Sequence, residues 1–144
     1  MIKSFKVMNR NACEKYCKRA HNESSIIISI KDPWDCDADI YQSDINNVKD
    51  ILRLDFVDLE AEKSSEYCMQ DSDGKKVVKF VQKWLNKDID MLIIHCNAGV
   101  SRSPGVMKGI LKALLNDDSL ITKNRNKKPN KTCFEVTYKA FMDN

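Results

Sequence analysis

Between positions 91 and 104 an apolar run, Met91-Leu92-Ile93-Ile94, leads into His95-Cys96-Asn97-Ala98-Gly99-Val100-Ser101-Arg102-Ser103 and then Pro104. The run reads as a buried strand, the middle as a tight loop, and Ser103-Pro104 as the opening of a helix. Strand, loop and helix N-terminus together form a nest for a tetrahedral oxyanion, because successive backbone N–H groups converge with the positive end of the helix dipole. A cysteine and an arginine stand at either end of residues 97–101. The thiolate is the nucleophilic form of cysteine, and a free thiol is only a few per cent thiolate at neutral pH. A helix terminus favours an anion by about 0.3–1 kcal/mol, up to ~2 when partly buried. Amide donors across residues 97–102, the Ser103 hydroxyl and the Arg102 charge must therefore contribute as well. This spacing lets the loop wrap one phosphate, with Cys96 beneath it and the Arg102 guanidinium forked onto two oxygens, a fit that lysine cannot copy. Gly99 supplies a positive φ and close approach. His95 is expected to orient the loop through hydrogen bonds. The plainer reading, a buried strand-end cysteine beside an unrelated surface arginine, leaves the strand–loop–helix context unexplained.

Strand and helix signals alternate along the rest of the chain. Strands are expected at 2–8, 26–30, 51–56 and 91–95. Helices are expected at 9–20, with Asn11 and Glu14 in capping-box spacing, at 75–86, from Ser103 onward with the stripe Val106, Ile110 and Leu114, and at 131–142. The 75–86 assignment rests on Val77, Val78, Val81, Trp84 and Leu85 falling on one helical face. A short helix is expected over 43–48, and 60–73 reads as a long loop or irregular helix. Such alternation predicts an α/β fold: a mainly parallel central sheet flanked by helices on both faces, with the phosphate-binding loop between a strand and a helix. At 144 residues, with no linker-like or repeated segment, one domain spanning 1–144 is expected.

Six cysteines without a C-x-x-C pair and two histidines do not make a metal-site pattern. Neither a metal nor a cofactor is expected. Cys13 and Cys17, one helical turn apart, read as packing residues. No run approaches a membrane span and the N-terminus lacks a signal-peptide core, so a cytoplasmic protein with no membrane partner is expected. The net charge of +3 is too mild to argue for nucleic acid.

In open α/β sheets ligands sit outside the carboxyl ends of the strands. An acid partner for Cys96 should therefore come just after another strand, and Asp58, two residues past strand 51–56, meets that condition. Asp55 lies inside the strand between Leu54 and Phe56 and is expected to point away. Asp32-Pro33-Trp34-Asp35 also comes directly after a strand. Its favoured reading is turn chemistry, with Lys31, Asp32 and Asp35 on the rim of the mouth and Asp35 as the reserve acid.

The segment H-C-N-A-G-V-S-R-S resembles the signature of the cysteine-dependent protein tyrosine phosphatases, most closely the small dual-specificity type. Leu54-Asp55-Phe56-Val57-Asp58 resembles the L-x-F-x-D pattern of small bacterial members. Pro129-Asn130 followed by Phe134 resembles the P-N-x-x-x-F element that opens their last helix. The resemblance implies metal-independent hydrolysis of phosphate monoesters through a cysteinyl-phosphate intermediate. Cys96 would be the nucleophile, Arg102 and the amides of Asn97, Ala98, Gly99, Val100 and Ser101 the phosphate binders, and Asp58 the general acid, with His95, Ser103 and Asn130 in support. For Asn130, capping of the helix expected at 131–142 is by itself a sufficient explanation.

The implied partner is a phosphorylated protein or peptide, carrying phosphotyrosine or also phosphoserine and phosphothreonine. Phosphoinositide enzymes of this superfamily often carry basic residues inside the loop, and Asn97, Ala98, Val100 and Ser101 supply none. Lys123, Arg125, Lys127, Lys128 and Lys131 form a basic run. It reads first as a solvated loop, and near the mouth it would attract anionic substrates and keep an RNA 5′-phosphate in view. The competing class of function is a catalytically silent phosphate-binding module, which usually lacks the Cys, the Arg or the acid.

Overall fold

Three isoleucines in a row, Ile26-Ile27-Ile28, and a second run, Met91-Leu92-Ile93-Ile94, are buried along their whole length. Runs of this kind suit central strands of a parallel sheet covered on both faces. In the computed structural model, which describes residues 1–60 and 66–144, they form β2 (Ser25–Lys31) and β4 (Ile89–Cys96). The edge strands are β1 (Ile2–Asn9) and β3 (Val48–Asp55), in the order β1-β4-β2-β3 with every pairing parallel.

Side chains alternate across the sheet, and the two faces bury different sets. Ile26, Ile28, Ile30, Leu92 and Ile94 face helices α2 (Asp71–Leu85), α3 (Arg102–Leu115) and α5 (Lys131–Met142), with Val77, Val81, Val106, Met107, Ile110 and Cys133 in one core cluster. Ile27, Met91 and Ile93 face α1 (Arg10–Cys17), where they meet Cys13, Cys17, Ala38 and Ile40. A one-turn helix, α4 (Ser119–Thr122), completes the described elements. The architecture is the expected α/β layering with helices on both faces.

Several local expectations need correction. Helix α1 is capped by Asn9, whose side chain accepts from the Ala12 N–H at 2.7 Å, and not by Asn11. Residues 43–47 form a turn closed by a Ser43–Val48 bridge, not a helix. Ser43 and Asn46 bond each other's backbone there, and the Asn46 amide reaches the carbonyls of Cys17 and Tyr41. Local side-chain bonding of this kind competes with helix formation, and Asn47 at φ 59° ends the turn. Helix α2 starts at Asp71, four residues earlier than expected, because the Asp73 carboxylate accepts from the Gln70 N–H at 2.9 Å. Within 60–73, the stretch expected as a loop or irregular helix, residues 61–65 lie outside the described residues.

The parallel register aligns the strand ends. Asn9 pairs with Cys96, Ser29 with His95, and Lys31 with Asp55. All four strand ends, and the loops leaving them, therefore collect on one edge of the sheet.

Candidate active site

Strand β4 ends on Cys96, which is 3% exposed, and the chain turns through residues 97–101 into α3. Gly99 makes the turn possible. Its φ is +70°, and a Cβ there would lie 2.7 Å from the Asn9 nitrogen and 2.8 Å from the Met8 carbonyl oxygen. The loop is thus seated directly on the end of β1, and the Arg10 N–H tightens it by donating to the Asn97 carbonyl at 3.1 Å.

Cys96 Sγ lies 3.0 Å from Ser103 Oγ in the first turn of α3. Among the described residues, no acceptor meets the backbone N–H groups of residues 98–103. Ser101 stands at the N-cap position but does not cap, since its hydroxyl is directed elsewhere. A loop whose amide donors are left without acceptors, leading from a buried sulfur into a helix N-terminus, is the arrangement that binds a tetrahedral anion.

His95 is fully buried behind the loop. Its Nε2 pairs with Ser29 Oγ at 2.6 Å and its Nδ1 lies 3.2 Å from the Cys96 carbonyl oxygen. Burial lowers its pKa, so the ring is neutral in the fold. Between the lowered value and the ordinary one near 6.5 the unfolded chain binds more protons than the folded one, so acidification there costs stability. The melting temperature is expected to drop as pH falls from about 6.5 until the buried ring protonates. A His95→Gln variant should show a flatter profile over the same range; calorimetry at stepped pH gives both curves.

Arg102 opens α3, and its side chain reaches over the end of β2. Nη1 donates to Asp32 Oδ1 at 2.8 Å and to the Phe56 carbonyl at 2.7 Å, with side-chain exposures of 6% for Arg102 and 22% for Asp32. Both anchors hold the same nitrogen. Nε and Nη2 have no partner among the described residues, which leaves a two-pronged donor for two oxygens of one phosphate. Asp32, read from sequence as a turn residue on the rim, is thus part of the site. Removing one partner of a pair this buried leaves a charge uncompensated, and a misplaced binding group can cost about 100-fold. For Asp32→Ala we expect kcat/KM on an aryl phosphate to fall about 10- to 100-fold, mainly through KM. Asp32→Asn should lose less, because it still accepts from Nη1; steady-state kinetics with inorganic phosphate as competitor checks both.

Asp58 faces the loop from the segment after β3. Its Oδ1 accepts from Ser101 Oγ at 2.7 Å and from Asn130 Nδ2 at 2.9 Å. Oδ2 has no partner among the described residues. Asn130 does more than cap: its Oδ1 accepts from the Cys133 N–H, while Nδ2 also donates to the Leu59 carbonyl. It can come this close because Gly105 has no side chain, a Cβ there falling 2.6 Å from the Asn130 backbone carbonyl oxygen. The segment before α5 then closes the back of the loop, with Lys128 N–H on the Val100 carbonyl, Asn130 N–H on the Ser101 carbonyl, and Lys127 Nζ on the Gly99 carbonyl.

Among the described residues, two other aspartates make no bond to the loop. Asp55 is exposed and pairs with Lys31 at 3.5 Å, and Asp35 closes the turn begun at Asp32. Cys133 lies beneath the site, where burial pushes its thiol pKa up, so it stays protonated. Beside Asp58, Trp34, Val57, Leu59 and Tyr67 line an apolar hollow of about 320 Å³. Sequence reasoning does not assign Trp34 to the mouth, although it is 73% exposed, and an exposed tryptophan after a strand is the available signal. Among the described residues, no group of three His, Cys, Asp or Glu side chains could hold a metal ion, and no helix is long and apolar enough to cross a membrane.

No family model and no curated relative matches the sequence. Solved structures do. Human DUSP28 is similar over 96% of this chain and 92% of its own, with a TM-score of 0.65 at 14% identity. PTPMT1 in complex with PI(5)P is similar over 83% and 78%, with a TM-score of 0.56 at 19% identity. The human tyrosine phosphatase-like serine/threonine/tyrosine-interacting protein is similar over 84% and 80%, with a TM-score of 0.57 at 19% identity. The fold is that of the small dual-specificity phosphatases.

Proposed function

We propose that this protein hydrolyses phosphate monoesters, acting on phosphotyrosine in proteins or peptides, through a covalent intermediate on Cys96. The observation that carries the reading is the convergence on one loop of a buried sulfur, amides without acceptors among the described residues, an anchored guanidinium and a carboxyl group. The Cys96 thiolate attacks phosphorus in line, forming the S–P bond as the bond to the leaving oxygen breaks. Amides of residues 98–103 and the Nε/Nη2 fork of Arg102 take the charge on the equatorial oxygens. Asp58 gives its proton to the leaving oxygen from Oδ2, while Ser101 and Asn130 hold Oδ1. The same carboxylate then accepts a proton from the water that attacks the cysteinyl phosphate, releasing inorganic phosphate and restoring the thiolate.

The hollow of Trp34, Val57, Leu59 and Tyr67 adjoins the proton donor, where the body of the leaving group must lie. An aromatic ring suits it better than the short aliphatic stem of serine or threonine. The runner-up is a module that binds phosphorylated chains without hydrolysing them. It is favoured by the similarity to a phosphatase-like interacting protein and opposed by the presence of both Cys96 and Arg102. Turnover of para-nitrophenyl phosphate with EDTA present, blocked by vanadate, supports the hydrolase; tight phosphopeptide binding with no turnover supports the module.

A further inference from the structure

A second feature adjoins the loop on the side away from Asp58. There β1 and α1 enclose a groove of about 470 Å³ whose lip includes Ala98 of the loop. Its walls carry Lys6, Lys15, Arg19 and Lys127, and among the described residues no acidic one lines it. Tyr16 and His21 form part of the lining with their rings stacked at 3.8 Å. Lys6, Lys15 and Arg19 are exposed, and among the described residues none has an ion-pair partner. The one carboxylate of α1, Glu14, is turned away from neutralising them, since it pairs with Arg10 and accepts from the Asp39 N–H. Uncompensated cations in a concave site focus a positive potential next to the place where the phosphate binds.

We propose that this groove binds the acidic flank of an extended phosphopeptide whose phosphorylated residue sits over Cys96; the inference rests on the function proposed above. Lys15 lies about one helical turn beyond Ala12, roughly 5 Å along the groove, and Arg19 lies farther on, just past the end of α1. An extended chain advances about 3.3 Å per residue. An anion facing Lys15 should therefore stand one to two residues beyond the point where the peptide passes Ala12. An extended peptide fits the groove because its other wall is β1, an edge strand that among the described residues pairs only with β4 and so presents an open main-chain edge. A lipid surface fits less well. A membrane-binding face combines cations with protruding apolar side chains, and the exposed Trp34, Leu59 and Tyr67 lie beside Asp58 instead.

The test compares phosphotyrosine peptides with neutral or glutamate-rich flanks at those positions, using the full chain and a Lys15→Glu/Arg19→Glu variant. For the full chain, kcat/KM should favour the glutamate-flanked peptide by about 10-fold at low ionic strength. That preference should fade in salt and vanish in the variant, while para-nitrophenyl phosphate turnover stays unchanged. Equal rates on both peptides, or equal losses on the small ester and the peptide, overturn the groove. So does binding to phosphatidylserine vesicles that depends on Lys15 and Arg19 without any peptide preference. Anisotropy with Cys96→Ser separates the two readings: flank-dependent binding without ester turnover by the full chain sinks the hydrolase and keeps the groove.

Discussion

Replacing Cys96 with serine should lower aryl phosphate turnover by at least about four orders of magnitude while inorganic phosphate still binds. The buried sulfur ends the strand that leads into the loop, and a serine hydroxyl needs a base to act in its place. None is at hand. His95 is adjacent in sequence, yet its ring atoms engage Ser29 and the Cys96 carbonyl, not the sulfur. The amides and the Arg102 fork are untouched by the change, so oxyanion affinity should stay within a few-fold. Steady-state kinetics and phosphate titration calorimetry give the two quantities. Wild-type turnover in the variant removes Cys96 from the mechanism.

The second large effect is expected from Asp58→Asn. The amide keeps an oxygen for Ser101 and Asn130, so the geometry survives and only the transferable proton is lost. General acid–base help is worth about 10²- to 10⁴-fold, and kcat should fall by that much with KM little changed. Leaving groups that depart unaided, such as para-nitrophenolate, should suffer less than the phenolate of tyrosine. A variant with the wild-type rate places the acid elsewhere, and Asp32 is then excluded by its bond to Arg102.

The same pair of carboxylates shows where reading by sequence stops. Asp58 can be picked from its place just after a strand, a local cue. Asp32 stands after a strand in the same way, and its favoured sequence reading is a turn. What brings Asp32 to Arg102 is the strand order, which puts β2 between β4 and β3 so that the guanidinium must cross the end of β2. Asn130 divides similarly. Its capping of α5 is legible from neighbouring residues, whereas its bond to Asp58 spans 72 positions of chain. The turn at 43–47 goes the other way, since Asn46 finds partners at Cys17 and Tyr41 that no helix-spacing rule contains.

Within residues 91–104 the sequence alone determined a strand, an anion-binding turn and a helix start, because the groups that stabilise these elements lie within one or two turns of each other along the chain. Folding decided the rest: which carboxylate faces the loop, which one grips the arginine, and which cations line the groove beside Ala98. Those choices depend on how separate strands are ordered and how helices pack across them, and side chains dozens of residues apart acquire a distance only when that packing is complete.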